Sequence, residues 1–137
     1  MTINSKYFTL EELISSPTAR RLGINNNPSA QIVAALQLLV TNVLDPLREE
    51  WGAPIIVTSG YRSPQLNVVV GGARSSQHLL GQAADIRPRD PAQFQRLVDF
   101  LKAHQLTDQL LTGNGWLHIS WSPFTTPRHQ VRIGYYK

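Results

Sequence analysis

Two histidines and an aspartate are the residues in this chain whose types and spacing could do chemistry. They lie in Ser76-Gln77-His78-Leu79-Leu80-Gly81-Gln82-Ala83-Ala84-Asp85 and in Trp116-Leu117-His118. Two imidazoles and a carboxylate in otherwise apolar, strand-like sequence form a mixed N/O donor set that suits one Zn²⁺ ion, with a fourth position left for water. That is the outline of a hydrolytic metal site. The chain has no cysteine, which removes disulfides, thiolate zinc sites and a cysteine nucleophile together. Any metal must be held by His and carboxylate.

The surrounding pattern supplies elements able to position these groups. Thr9-Leu10-Glu11-Glu12 reads as a capping box opening a short helix to about Ser15, and Pro17 opens another turn ending near Gly23. Ile32, Leu36, Leu39, Val43 and Leu47 recur at helical spacing and predict a long core helix, which Pro46 should kink or restart before Trp51-Gly52. The β-branched run Ile55-Ile56-Val57-Thr58 reads as a buried strand, Pro64 to Val70 as a short helix stopped by Gly71-Gly72, and Gln82 to Arg87 as the next strand. Pro91 to His104 reads as an amphipathic helix. Asp108 to Leu111 and Trp116 to Trp121 flank Thr112-Gly113-Asn114-Gly115 as a hairpin, and a last strand runs from Gln130 to Tyr135. This order predicts an α+β fold in which an antiparallel sheet is flanked by helices, in a single domain over 1–137.

Strand alternation places the second histidine. Trp116, His118 and Ser120 share one face, while Leu117, Ile119 and Trp121 form an apolar face for the core. His118 should therefore look into a cleft. If Leu111 pairs with Trp116, Gln109 sits opposite His118 and Asp108 points to the other face.

Composition narrows the function classes. Thirteen Lys+Arg against nine Asp+Glu give a net charge of +4, scattered without the basic and aromatic clustering of a nucleic-acid face. A mild basic balance favours an anionic target such as a bacterial wall. No apolar run reads as a membrane span, and the N-terminus has no secretory h-region, so the expectation is a chain cytoplasmic on synthesis.

The pattern Ser-x-His-x-x-Gly-x-Ala-x-Asp, preceded by Ser59-Gly60-Tyr61-Arg62-Ser63 and followed by Trp-x-His, resembles the zinc D-alanyl-D-alanine carboxypeptidase family. That family includes D,D-dipeptidases and phage endolysins that cleave peptidoglycan cross-peptides, and it shares its fold with the hedgehog signalling domain. The resemblance runs from about Tyr7 to Val131. It implies a hedgehog/DD-peptidase-like fold, one zinc ion held by His78, Asp85 and His118, and a peptidoglycan peptide as substrate. Ser76 would contact substrate or support the ligand loop, and Trp116, on the His118 face of its strand, is a further candidate for binding substrate. Arg62 would sit over the cleft and stabilise the oxyanion that forms when water attacks the peptide carbonyl. A monomer is expected, acting at the cell wall after release or export.

One departure from the family pattern bears on catalysis. Relatives carry Glu or Asp a few residues before the last histidine as general base and acid, whereas Leu111 to Leu117 contains no carboxylate and Gly115 stands three before His118. Asp108 and His129 are the alternative proton carriers. Two classes therefore remain: a zinc peptidase acting on D-amino-acid-containing wall peptides, or a catalytically weakened relative that keeps the metal cleft and binds a wall peptide or a protein.

Overall fold

A computed structural model describes residues 1–104, 107–124 and 128–132. Helices α1 (Leu10–Ile14) and α2 (Pro17–Leu22) come first, and Thr9 and Glu12 close the capping box read from the sequence. The core helix is divided into α3 (Ala30–Leu39), a π turn over Val40–Leu44, and α4 (Asp45–Trp51). The break precedes the proline rather than sitting on it. Pro46 cannot donate into the preceding turn, and the ladder adapts upstream, with the Asp45 N–H donating back to the Val40 carbonyl.

This composite run, Ala30–Trp51, is 22 residues long and apolar enough to cross a membrane by length and composition alone. Its Leu36, Leu39, Val40, Val43, Leu44 and Leu47 are nonetheless buried in the hydrophobic core, the behaviour of a central helix in a globular fold.

Strand β1 (Ile55–Ser59) leads through α5 (Pro64–Val69) and a 3₁₀ turn (Gln77–Leu80) to β2 (Ala83–Pro88). A 3₁₀ turn (Pro91–Gln93) opens α6 (Phe94–His104), followed by β3 (Gln109–Thr112), β4 (Leu117–Ser120) and β5 (Gln130–Arg132). The expected last strand is present from Gln130 to Arg132, and its remainder toward Tyr135 lies outside the described residues.

The five strands form one sheet in the order β1-β2-β4-β3-β5, antiparallel across the first four and parallel between β3 and β5. Its two faces are chemically different. Ile55, Ala84, Ile86, Leu110, Leu117 and Ile119 meet the apolar residues of α1, α3, α4 and α6 in one core. The opposite face carries the row Ser59, Asp85, His118, Leu111 and Arg132, each the cross-strand partner of the next. A bulge between Val57 and Ser59 brings Ser59 opposite Asp85, so the loop that follows begins at the polar row.

Register in the β3–β4 hairpin differs from the expectation. Thr112 pairs with Leu117 around the loop 113–116, so Leu111 and not Gln109 stands opposite His118, and Gln109 faces Ser120. The pairing slides by one residue on each strand, which preserves side-chain parity. Gln109 and Leu111 therefore share the face of His118.

Candidate metal centre

Three donors converge on the polar face of the sheet. His78 comes from the 3₁₀ turn, where Ser76 caps the backbone by accepting the His78 N–H, and Asp85 and His118 are direct partners across β2 and β4. His78 Nε2 lies 3.1 Å from Asp85 Oδ1 and 3.2 Å from His118 Nδ1, and His118 Nδ1 lies 3.0 Å from the same Asp85 oxygen. All three residues are buried, His78 at 1% exposure.

This triangle fits a metal ion. A tetrahedral zinc with bonds of about 2.0–2.1 Å spaces its ligand atoms about 3.3 Å apart, close to the separations found here. Ring orientation fits as well. The Gly60 carbonyl, 2.6 Å away, accepts from His78 Nδ1, which leaves the Nε2 lone pair facing the cleft. Burial pushes the His78 pKa below its ordinary value against the opposing pull of Asp85, and so favours the neutral, ligating ring.

The loop from Gly60 to Ser63 is gripped by two buried asparagines that the sequence reading passed over. Asn26 donates to the Ile14 and Tyr61 carbonyls and accepts the Ser63 N–H, tying the loop to α1. Asn67 Oδ1 accepts from Arg62 Nη1, while its Nδ2 donates to the Ala73 carbonyl. A signal for Asn67 existed: it is the lone polar residue in Leu66-Asn67-Val68-Val69-Val70. Asn26 sits in an ordinary polar loop and gave none.

Arg62 lines the cleft but is 2% exposed, and its guanidinium reaches protein groups on several sides. Its Nε donates to Ser59 Oγ and its Nη2 to Asp85 Oδ2, 3.2 Å away. The expected placement over the cleft thus becomes a placement in its floor, behind the Asp85 carboxylate.

A cleft of about 530 Å³ opens above the donors. Gly71 to Ala73 and Ser75 to His78 form one wall, and Gln109, Leu111, His118, Arg128 and Arg132 form the other. Ser76 lines it. Trp116 does not: its indole folds over Gly113, so close that a Cβ there would meet the ring at 2.0 Å.

The two proposed proton carriers are elsewhere. Asp108 is buried and bound by Arg128, with Oδ1 accepting the backbone N–H at 2.8 Å and Nε at 3.0 Å and Oδ2 accepting Nη2 at 2.8 Å. That grip holds the Asp108 carboxyl below the usual carboxylate range. It also anchors the segment whose Arg128 and Arg132 line the cleft. His129 is exposed, sits at a φ of 52°, and is not among the lining residues.

No curated protein matches the chain. The family model described as Peptidase M15 matches residues 6–120, over which strands β1 to β4, helices α1 to α6 and the His–Asp–His group fall. The chain belongs to the M15 peptidases, a family of metallopeptidases.

Proposed function

We propose that the protein is a zinc-dependent peptidase that hydrolyses D-amino-acid-containing peptides of bacterial peptidoglycan, as a carboxypeptidase or an endolysin-like endopeptidase. The observation that carries this reading is the convergence of His78 Nε2, Asp85 Oδ1 and His118 Nδ1 below an open cleft in a chain of this family. When bound there, zinc supplies Lewis acidity toward a peptide carbonyl and makes water nucleophilic near neutral pH.

The chain's own residues hold and orient the substrate. Gly71 to Ala73 offers backbone along one wall of the cleft, and Leu111 offers an apolar contact beside His118. Arg128 and Arg132 make the far wall cationic, which suits the carboxylates of a wall peptide. The protein works as a monomer, at the wall after release or export.

A second reading is a wall-peptide binder with little or no turnover. It is favoured by one observation: Asp108, the carboxylate nearest before His118 in sequence, is engaged by Arg128. Incubating the zinc-loaded protein with a muropeptide, while measuring peptide binding in parallel, separates the two. Zinc-dependent release of product supports the enzyme. Saturable binding without product supports the binder, and neither binding nor cleavage overturns both.

A further inference from the structure

We propose that Arg62 and Asn67 are positioning residues that lock the Asp85 carboxylate in its metal-binding orientation. The proposal rests on the metal-centre reading, and it gives Arg62 a different task from oxyanion stabilisation.

An aspartate has two equivalent oxygens, and a rotation about its last torsion exchanges them. At Asp85 the two are distinguished: Oδ1 faces His78 and His118, and Oδ2 accepts from Arg62 Nη2. Whatever fixes Arg62 therefore helps to fix the rotation of the Asp85 carboxylate, and with it the direction in which an oxygen is presented to a metal. Arg62 is fixed from several directions, by its N–H to the His78 carbonyl, Nε to Ser59 Oγ and Nη1 to Asn67 Oδ1. The first of these joins Arg62 directly to the backbone of another metal-binding residue.

Asn67 is the outer support. It is 3% exposed, and its amide has one workable orientation, because Nδ2 donates to the Ala73 carbonyl and Oδ1 must then accept from Arg62. Gly72 closes over the pair. A Cβ at Gly72 would lie 2.0 Å from Asn67 Oδ1 and 2.8 Å from Arg62 Nη1, so any side chain there would have to displace the pair. The cleft wall, Asn67, Arg62 and Asp85 are thus one hydrogen-bonded unit. Outer partners of this kind set the orientation and charge of a metal ligand, and losing one weakens metal binding by roughly 10- to 100-fold.

The test is zinc affinity by chelator competition and the visible spectrum of the Co²⁺-substituted protein, measured on the parent, Arg62→Lys, Asn67→Ala and Asn67→Asp. Peptide hydrolysis is followed alongside. Arg62→Lys and Asn67→Ala are expected to raise the zinc Kd roughly tenfold or more and to change the Co²⁺ bands. Asn67→Asp, which keeps an acceptor for Arg62, is expected to retain more affinity than Asn67→Ala. A zinc Kd within twofold of the parent in Asn67→Ala removes Asn67 from the unit, and the same result in Arg62→Lys overturns the proposal. Should Arg62→Lys fail to fold, Asn67→Ala decides alone. Because the readout is metal binding, a parent that binds zinc but cleaves no wall peptide sinks the proposed activity while leaving this inference standing or falling on its own numbers.

Discussion

Asp85 and His118 stand directly opposite one another on β2 and β4, with His118 Nδ1 3.0 Å from Asp85 Oδ1. The candidate metal centre is therefore built into the sheet's own pairing, and of its three donors only His78 comes from outside the strands, in the 3₁₀ turn. Ligands on paired strands are held by the ladder and need little reordering to bind an ion.

The first prediction follows from that rigidity. The parent should bind one zinc per chain, and Asp85→Asn and His118→Ala should each lose it while keeping a native far-UV spectrum. Metal analysis after chelation and reconstitution checks this. Full stoichiometry in His118→Ala would move the site away from these residues.

Much of this was legible in the sequence because it is local. The 3₁₀ turn and β2 place His78 and Asp85 on either side of Gly81, and alternation in β4 sends Leu117 and Ile119 to the core and His118 to the cleft. What was not legible depends on long-range pairing. Nothing near Asp85 shows that β2 lies beside β4, nor that a bulge after Val57 brings Ser59 opposite Asp85. Arg62 illustrates the gap. Its motif marks it as a site residue, but only the fold reveals that Asp85 and Asn67 lie around its guanidinium. Asp108 is the same case in reverse, an acid near the site in sequence whose partner, Arg128, comes from a distant segment.

The second prediction concerns that ion pair. Asp108→Asn should cost roughly 1–2 kcal/mol of stability at neutral pH, since the amide oxygen can accept at only one of the two positions, its NH2 faces an Arg128 donor at the other, and the charge assistance is gone. The pH dependence has a definite sign. Arg128 depresses the folded pKa of Asp108, so the contribution is complete above the unfolded carboxylate value near ~3.9 and is lost as pH falls through the lower folded value. Urea unfolding of parent and variant should show a constant gap from about pH 5 to 7 that narrows below pH 4. A gap unchanged down to pH 2 would assign the effect to packing.

The third prediction uses two glycines. At Gly60 a Cβ would meet the Leu13 carbonyl oxygen at 2.1 Å, and that backbone cannot yield without undocking α1 from the loop that holds His78. Gly60→Ala should therefore destabilise strongly and weaken zinc binding. Gly115 has open space around its Cβ position but a φ of 81°, so Gly115→Ala should cost only about 1 kcal/mol, for the backbone alone. Melting temperatures of the two variants give the comparison, and equal losses would contradict it.

The last prediction addresses substrate charge. Arg132 ends the polar row beside Leu111 and lines the cleft with Arg128, whose charge is already shared with Asp108. Arg132 is exposed, so its attraction for a peptide carboxylate is screened and worth no more than about 1 kcal/mol. Arg132→Ala should then raise KM for a peptide with a free carboxylate roughly two- to fivefold, leave kcat nearly unchanged, and matter less as ionic strength increases. The corresponding peptide amide, lacking the charge, should show no difference between parent and variant. A loss of kcat with KM unchanged would mean that Arg132 acts at the reacting carbonyl. Equal KM effects on acid and amide would mean that it shapes the cleft without reading charge.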